Sequence, residues 1–213
     1  MNSVRKLLLL GGGGHCRSVI DSILSITPNP FDEIGIIDYS DCHYCGIHVV
    51  GKDEDLRDLY KRGWTDALIT VGSIGNTSIR RKLYRLIKDI GYKVPTIIDP
   101  TAIIASYSSI EDGAFIGKGA IVNTNTTLGS CCIINTGAVI EHDCQIGAFS
   151  HISPGAVLCG EVIIGSDCHI GVGSVIKQQV VIGNNALIGA GSVVLKDLPE
   201  RIVAYGNPCR VIE

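Results

Sequence analysis

The stretch FIGKGA-IVNTNT-TLGSCC-IINTGA-VIEHDC, residues 115–144, repeats every six residues and decides the fold of the second half of the chain. The same unit runs without insertion from Ile103 to Leu198, sixteen units in all, and its second position is always Ile, Val or Leu. A fixed short repeat adds one identical piece of backbone per unit, and the marked side chain is buried against its neighbours. The sequence therefore predicts a solenoid over these residues.

The sixth position of the repeat is mostly filled by a small residue, Ala, Ser, Cys or Thr. Small side chains that recur at one position fit a second inward-facing column, because a packed interior leaves little free volume. We therefore expect Cys132, Cys144 and Cys168, which stand at this position, to be core residues.

The first half of the chain, residues 1–98, follows a different pattern, in which apolar runs alternate with stretches at helical spacing. KLLLL, EIGIID, ALITVG and VPTIID are typical of buried strands, and helices are expected near residues 15–26, 53–62 and 76–90. Buried apolar strands joined by helices predict a parallel sheet covered on both faces, with ligands at the carboxyl ends of the strands. This half is therefore expected to be a Rossmann-like α/β domain.

Four glycines, Gly11–Gly14, and His15 join the first expected strand to the first expected helix. Glycine lets backbone N–H groups approach an anion closely, and the first turn of a helix offers unpaired donors at the positive end of its dipole. Asp38 ends the second strand at the same edge, where a carboxylate can accept a ribose hydroxyl. The loop indicates a nucleotide site. Two other interpretations of the loop remain open. It could be a tight turn that binds no ligand or, if the glycines are considered alone, part of an NAD-linked dehydrogenase.

The composition is that of an ordinary globular chain of 213 residues, with 46% hydrophobic residues, 18% charged residues and a net charge of −3. The absence of a Lys/Arg run argues against a nucleic-acid partner. The first leucine run is too short for a signal peptide or a membrane span, so a cytoplasmic protein without membrane insertion is expected.

Nine cysteines, an odd number, favour reduced thiols over disulfides. Cys42 and Cys45, with His43 and His48 nearby, lack the second ligand pair of a usual structural zinc site, so no metal is expected.

The hexads resemble the left-handed parallel β-helix of the hexapeptide-repeat acyltransferases, in which three hexads form one triangular coil. The tail IVAYGNPCRVI, residues 202–212, is similar to the ending of these enzymes. With three hexads per coil, residues 18 positions apart share a column, one strand spacing of about 4.8 Å apart. His142 is then followed by Gly160, and His151 by His169, with both histidines of the second pair expected to face outwards.

A glycine-rich βαβ half followed by hexads carrying VIEHDCQIGAFSHISPGAVLCG, residues 139–160, resembles the family of sialic acid O-acetyltransferases and UDP-4-amino-sugar N-acetyltransferases. The resemblance covers essentially the whole chain. It implies a Rossmann-like nucleotide-sugar-binding domain over residues 1–98 and a left-handed β-helix acetyltransferase domain over residues 99–213. It also implies a homotrimer in which acetyl-CoA lies between adjacent subunits, along the β-helix.

The same resemblance assigns roles to individual residues. His142 corresponds to the general base and Asp143 to the acidic residue that raises its basicity, while Asn135 lies near the acceptor. Four positions match contacts to acetyl-CoA: His151, Gly160, Val172 and Ala190. Five match contacts to the nucleotide sugar: Gly13, Gly14, His15, Asp38 and Tyr39. The implied reaction is direct transfer, in which the acceptor attacks the thioester carbonyl while the general base takes its proton.

Chemistry alone leaves alternatives open. A histidine deprotonates a hydroxyl as well as an amine, so O-acetylation of sialic acid stands beside N-acetylation of a UDP-linked 4-amino sugar for cell-surface glycans. Glu141, His142 and Asp143 could instead form a polar corner facing water. Another alternative is a zinc enzyme of the carbonic anhydrase type, which needs three converging histidines. A further one is a trimeric scaffold that senses nucleotide, which would bind the nucleotide without acetyl-CoA turnover.

Overall fold

The computed structural model describes residues 4–212, which divide into two compact units. The first unit contains the residues up to Gly72 together with Ser78–Ile97. The second contains Ser73–Thr77 and the residues from Ile98 onward, so a short segment of the first half belongs to the second unit.

A five-stranded sheet and three α-helices make up the described part of the first unit. In chain order the elements are β1 Lys6–Leu10, α1 Gly14–Ser25, β2 Glu33–Ile37, β3 His43–Tyr44, β4 Ile47–Gly51, a 3₁₀ turn Asp53–Asp55, α2 Leu56–Lys61, β5 Trp64–Ile69 and α3 Ser78–Ile90. The sheet has the order β3-β4-β2-β1-β5 and is parallel, except that β3 and β4 form an antiparallel hairpin.

The central strand β1 carries the apolar run of the first half, and Leu7–Leu10 are completely buried. A continuous apolar run is what a parallel strand covered on both faces requires. Leu10 pairs with Ile37, so the loops that follow β1 and β2 begin side by side. The sheet thereby brings the glycine loop next to Asp38, as expected for loops that follow the carboxyl ends of neighbouring parallel strands.

The structure departs from the sequence prediction at two places in the first half. The apolar pattern does not predict the hairpin of β3 and β4, because its turn residues Cys45 and Gly46 have positive φ and only Ile47 of β4 is buried. The stretch VPTIID is predicted as a strand of the first sheet. It contributes Ile97–Ile98 to a sheet of the β-helix instead.

The second unit is a parallel β-helix whose short strands stack into three sheets, called here the first, second and third faces. The first face contains Ile103–Ile104, Ile121–Val122, Val139–Ile140, Val157–Leu158, Val175–Ile176 and Val193–Val194. The second face contains Ser109–Ile110, Thr127–Leu128, Gln145–Ile146, Ile163–Ile164 and Val181–Ile182. The third face contains Ile97–Ile98, Phe115–Ile116, Ile133–Ile134, His151–Ile152, His169–Ile170, Leu187–Ile188, Val203–Tyr205 and Arg210–Val211.

The six-residue period sets the register of the β-helix. Strands one coil apart pair in parallel, for example Val139 with Val157, and Ile140 of the same strand is completely buried. The small residues at the sixth position are buried as well, and Cys132, Cys144 and Cys168 are all part of the core. The predicted second inward column is therefore confirmed.

Among residues 4–212, no helix combines the length and apolar character needed to cross a membrane.

Candidate active site

The pair His142–Asp143 lies at the first corner of the β-helix, which joins a strand of the first face to a strand of the second. His142 Nδ1 is 2.7 Å from Asp143 Oδ2, and both side chains are about half exposed. The hydrogen bond to Asp143 raises the pKa of His142 above the usual value for histidine, and the charges of Asp143, Glu141 and Glu161 act in the same direction. The corner therefore holds an exposed imidazole of increased basicity.

The contact with Asp143 also decides which ring nitrogen of His142 can act as a base. A carboxylate only accepts hydrogen bonds, so Nδ1 carries the proton and the lone pair stands on Nε2. The ring lies over Gly160 of the next coil, where a Cβ atom would come within 2.6 Å of Nε2. The imidazole thus occupies the space that the missing side chain of Gly160 leaves.

A second group of predicted residues lies at or beside the third corner, which joins the third face to the first. Val172 and Ala190 stand at this corner one coil apart, and both are exposed. Asn135 Nδ2 is 3.1 Å from Nε2 of His151, and His151 Nδ1 is 3.2 Å from the carbonyl oxygen of Ser73. A carbonyl oxygen accepts, so His151 carries its proton on Nδ1 and accepts from Asn135 through Nε2.

His169 differs from the sequence expectation, which placed it on the surface. It is 9% exposed, its ring meets that of His151 edge-on at 5.0 Å between centroids, and its Nε2 is 3.3 Å from Ser153 Oγ. Burial lowers the pKa of His169, which keeps the imidazole neutral. The expectation fails because the ring of His169 packs against His151 and Ser153, contacts that repeat spacing does not show.

The two groups lie at opposite ends of the strands of the first face. His142, Asp143 and Gly160 follow these strands, while Val172 and Ala190 precede them. One chain therefore brings the expected base together with Gly160, and Asn135 together with His151, but it does not join the two groups in a single cluster.

The glycine loop of the first unit is closed by Asp38. Its Oδ2 accepts a hydrogen bond from Gly12 N at 2.6 Å, and its Oδ1 accepts one from Ser40 N at 2.8 Å. The N–H groups of Gly12 and Ser40 lower the pKa of Asp38, and that of Gly12 has the larger effect, so the carboxylate is ionised. The sequence predicted a ribose contact for Asp38, and the structure adds a role in holding the loop.

A Cβ atom at Gly12 would overlap Cys42 Sγ, so a larger residue there would require the Cys42 side chain to move. In contrast, nothing lies within 4 Å of a Cβ atom built on Gly13 or Gly14. Gly14 begins α1 and His15 follows it, so the backbone N–H groups of this first turn lack intrahelical acceptors. The loop has the open, donor-rich form that suits a phosphate.

Tyr39 follows Asp38 and is 65% exposed. Its hydroxyl lies 3.1 Å from Glu54 Oε2, and Lys52 Nζ is 5.9 Å from the centre of its ring. An exposed aromatic ring beside the glycine loop offers a surface on which a nucleotide base can stack.

The cysteine and histidine cluster of the first half does not assemble a metal site. His43 and His48 pair across the hairpin with ring centroids 5.8 Å apart. Within residues 4–212, no group of three or more His, Cys, Asp or Glu side chains has the arrangement to hold a metal ion.

Comparison with known proteins finds separate families that match the first and second halves of the chain. The family described as PglD N-terminal domain matches residues 6–87. The bacterial transferase hexapeptide family matches residues 143–178 and 161–196, and the hexapeptide repeat of succinyl-transferase matches residues 108–141. No curated protein sequence matches the chain at a significant level.

Solved structures resemble the chain over nearly its full length. PerB from Caulobacter crescentus, in complex with CoA and GDP-perosamine, is 32% identical, with 97% of each chain covered and a TM-score of 0.91. The acetyltransferase domain of PglB from Neisseria gonorrhoeae, in complex with acetyl coenzyme A, is 32% identical, with 98% of this chain and 99% of that chain covered and a TM-score of 0.91. WeeI from Acinetobacter baumannii shares the fold at 24% identity, with 97% of this chain and 99% of that chain covered and a TM-score of 0.86.

The repeats and the exposed histidine–aspartate pair define a hexapeptide-repeat transferase. The chain belongs to the NeuD/PglD-like family of acetyltransferases. The predicted fold, a Rossmann-like domain followed by a left-handed β-helix, and the predicted enzyme class are thereby confirmed. Two of the relatives hold CoA or acetyl-CoA, the predicted cosubstrate.

Proposed function

We propose that this protein transfers an acetyl group from acetyl-CoA to the amino group of a nucleotide-linked amino sugar, with His142 as the general base. The observation that carries the proposal is the His142–Asp143 pair, in which Nδ1 is held at 2.7 Å from a carboxylate and Nε2 is left as the proton acceptor. PerB, a relative at 32% identity over nearly the whole chain, is described as a GDP-perosamine N-acetyltransferase and is complexed with that sugar nucleotide.

The reaction follows from this geometry. A neutral amine attacks the thioester carbonyl, and Nε2 of His142 takes the proton that the nitrogen loses as the new bond forms. The CoA thiolate leaves as the carbon–sulfur bond breaks, and the imidazolium gives its proton to sulfur, so the thiol forms and the base is regenerated. Asp143 stabilises the imidazolium in between, because it accepts from Nδ1 throughout.

The nucleotide of the acceptor is assigned to the glycine loop. Gly13, Gly14 and His15 offer the first turn of α1 to the diphosphate, and Tyr39 lies where a base can stack. We expect the nucleotide to be UDP and the sugar to carry its amine at carbon 4. Asn135 is expected near the acceptor.

Acetyl-CoA is expected to bind at the third corner, against His151, Val172 and Ala190, and to reach Gly160 and His142 of a neighbouring copy. The two groups of residues lie at opposite ends of one face, so copies arranged around a threefold axis bring one end of each chain against the other end of the next. The working unit is then a homotrimer. We place it in the cytoplasm, where acetyl-CoA and nucleotide sugars are available together.

The test is a thiol-release assay with acetyl-CoA and a panel of acceptors. The panel contains UDP-, GDP- and TDP-linked 4-amino sugars, their 4-hydroxy counterparts, and free and CMP-linked sialic acid, with His142→Ala as the matched control. Turnover confined to nucleotide-linked amines supports the proposal. Efficient acetylation of free sialic acid without competition by UDP or GDP would replace it with sialic acid O-acetylation, and nucleotide binding without thiol release would replace it with a nucleotide-binding scaffold.

A further inference from the structure

A third side chain completes the pair at the first corner. Asn125 lies one coil before Asp143 in the same column, and its Nδ2 is 2.5 Å from Asp143 Oδ1. The other oxygen of the same carboxylate, Oδ2, accepts from His142 Nδ1 at 2.7 Å. Because each oxygen has its own donor, the carboxylate is held from both sides and its plane is fixed relative to the imidazole.

The backbone explains why these two side chains meet. Asn125 and Asp143 both have a left-handed conformation, with φ of 57° and 61°, at the fifth position of their hexads. Identical backbone at one strand spacing points both Cβ atoms outward in parallel, so a short amide reaches the next carboxylate. Asn and Asp are among the side chains that tolerate this conformation best.

The column continues with groups that do not replace Asn125. Glu161, one coil after Asp143, accepts from Gln179 Nε2 at 3.2 Å and carries a negative charge, so it cannot donate to the carboxylate. The corner borders an open hollow of about 650 Å³, which is lined by Asn125, Thr127, Asp143, Gln145, Glu161 and Ile163. Without Asn125, water would solvate Asp143 Oδ1 and the carboxylate could turn away from His142.

We propose that Asn125 is a positioning residue for the acetyl transfer: its amide holds the Asp143 carboxylate so that His142 keeps its proton on Nδ1 and its lone pair on Nε2. This inference rests on the proposed role of His142 as the base. The amide contact also lowers the pKa of Asp143, more than the contact with His142 does, so the carboxylate remains an acceptor. A free histidine has no such constraint on its tautomer.

The first variant is Asn125→Gly. Glycine already stands at the fifth hexad position with positive φ at Gly119, Gly137 and Gly155, so the backbone of the corner accepts it and the amide alone is removed. Gln179→Gly is the matched control, because Gln179 stands in the same column with φ of 63° and donates to Glu161 instead of Asp143. Asn125→Asp keeps the shape of the side chain and removes the donor at a pH where both carboxylates are ionised.

Two measurements are made on each variant. We expect kcat of Asn125→Gly and Asn125→Asp to fall roughly tenfold, the loss expected for one hydrogen bond to a charged group, while KM of both substrates stays unchanged. In ¹⁵N spectra of the histidine ring, the fraction of His142 protonated on Nδ1 should fall in both variants and stay at the wild-type level in Gln179→Gly.

The ring spectra separate this inference from the proposed function, because they need no substrate. If the wild-type protein acetylates no acceptor but the tautomer still changes in Asn125→Gly, the proposed function fails and the positioning contact stands. If the wild type is active and Asn125→Gly matches Gln179→Gly in kcat and in the ring spectrum, the proposed role of Asn125 is wrong. Wild-type kcat in Asn125→Asp, measured where both carboxylates are ionised, would show that the donor is not needed and would also overturn it.

Discussion

At the scale of single residues, the chemistry depends on an imidazole that is exposed and yet fixed. His142 projects from a corner of the β-helix, so burial contributes little to its position. Its ring is fixed by Asp143 on the Nδ1 side and by contact with the backbone at Gly160 below. Substitutions at this corner should therefore change turnover much more than folding.

The first prediction concerns the base and its carboxylate. His142→Ala should lower kcat by about 10² to 10⁴, the usual contribution of a general base, while the melting temperature stays near that of the wild type. Only the neutral ring is a base, so wild-type kcat should decline as the pH falls through the pKa of His142. This decline should come at a higher pH than the pKa of an ordinary histidine would give, because the pKa of His142 is raised.

Asp143→Asn should reduce the plateau of kcat less than His142→Ala does and move the acid limb to lower pH, since the contact that raises the pKa is lost. A pH–rate profile of both variants and the wild type measures this. An acid limb at the same pH in Asp143→Asn would mean that another group titrates.

The second prediction concerns the space over Gly160. In Gly160→Ala the added Cβ would lie 2.6 Å from the ring of His142, so the imidazole must move away from its place. We expect kcat to fall without loss of stability, because Ala148 and Ala190 occupy the same hexad position and show that the backbone accepts alanine. Gln178→Ala, one coil further in the same column, is the control. Equal kcat in the two variants would contradict a close fit between ring and glycine.

At the scale of elements, the repeat and the apolar strands could be predicted because local spacing alone fixes them. The period of six places Ile140 and Cys144 in the core whatever surrounds the coil. The burial of His169 could not be predicted, since it depends on contacts within the folded unit and not on spacing. The pairing of Ile97–Ile98 in the β-helix was, in contrast, predictable from the period of six, because residues 97–102, IIDPTA, continue the repeat one unit before Ile103.

The sequence also predicts only part of the candidate site. The sequence indicated Asp38 beside the glycine loop because strand order alone brings the two together. It did not indicate that both carboxylate oxygens bind backbone N–H groups of that region. The column that joins Asn125 to Asp143 follows from the period, but the hydrogen bond between them depends on a backbone conformation that only the structure reveals.

The third prediction belongs to the loop that follows β1. Asp38→Ala removes the acceptor of Gly12 N and Ser40 N, so the glycine loop loses its fixed form. KM for the nucleotide sugar should rise while KM for acetyl-CoA stays nearly unchanged, because the residues proposed to bind the coenzyme lie in the other unit. In Asp38→Asn, which retains one acceptor oxygen, KM for the nucleotide sugar should lie between the values of Asp38→Ala and the wild type.

Initial rates at varied concentrations of each substrate give both constants. Asp41→Ala is the control, since Asp41 is a neighbouring exposed carboxylate outside the two contacts that hold the loop. An unchanged acceptor KM in Asp38→Ala would separate this loop from substrate binding.

At the scale of the whole molecule, the placement of the two residue groups predicts that no single chain is a complete enzyme. The proposed base, His142, lies at one end of the strands of the first face, and the exposed Val172 and Ala190 lie at the other. A variant that lacks the base and a variant that blocks the coenzyme corner should therefore restore each other in mixed assemblies. His142→Ala and Val172→Arg are suitable, because each changes an exposed residue and neither alone should be active.

When the two variants are co-expressed with different tags and purified through both, every remaining trimer is mixed, and about one third of the interfaces join an intact base to an intact coenzyme corner. Thiol release should then recover to a corresponding fraction of the wild-type rate, whereas each variant alone stays inactive. Dilution should abolish the recovered activity once sedimentation shows that the assembly has dissociated. If each site lay within one chain, every chain in the mixture would still carry one defect, and no activity would return at any mixing ratio.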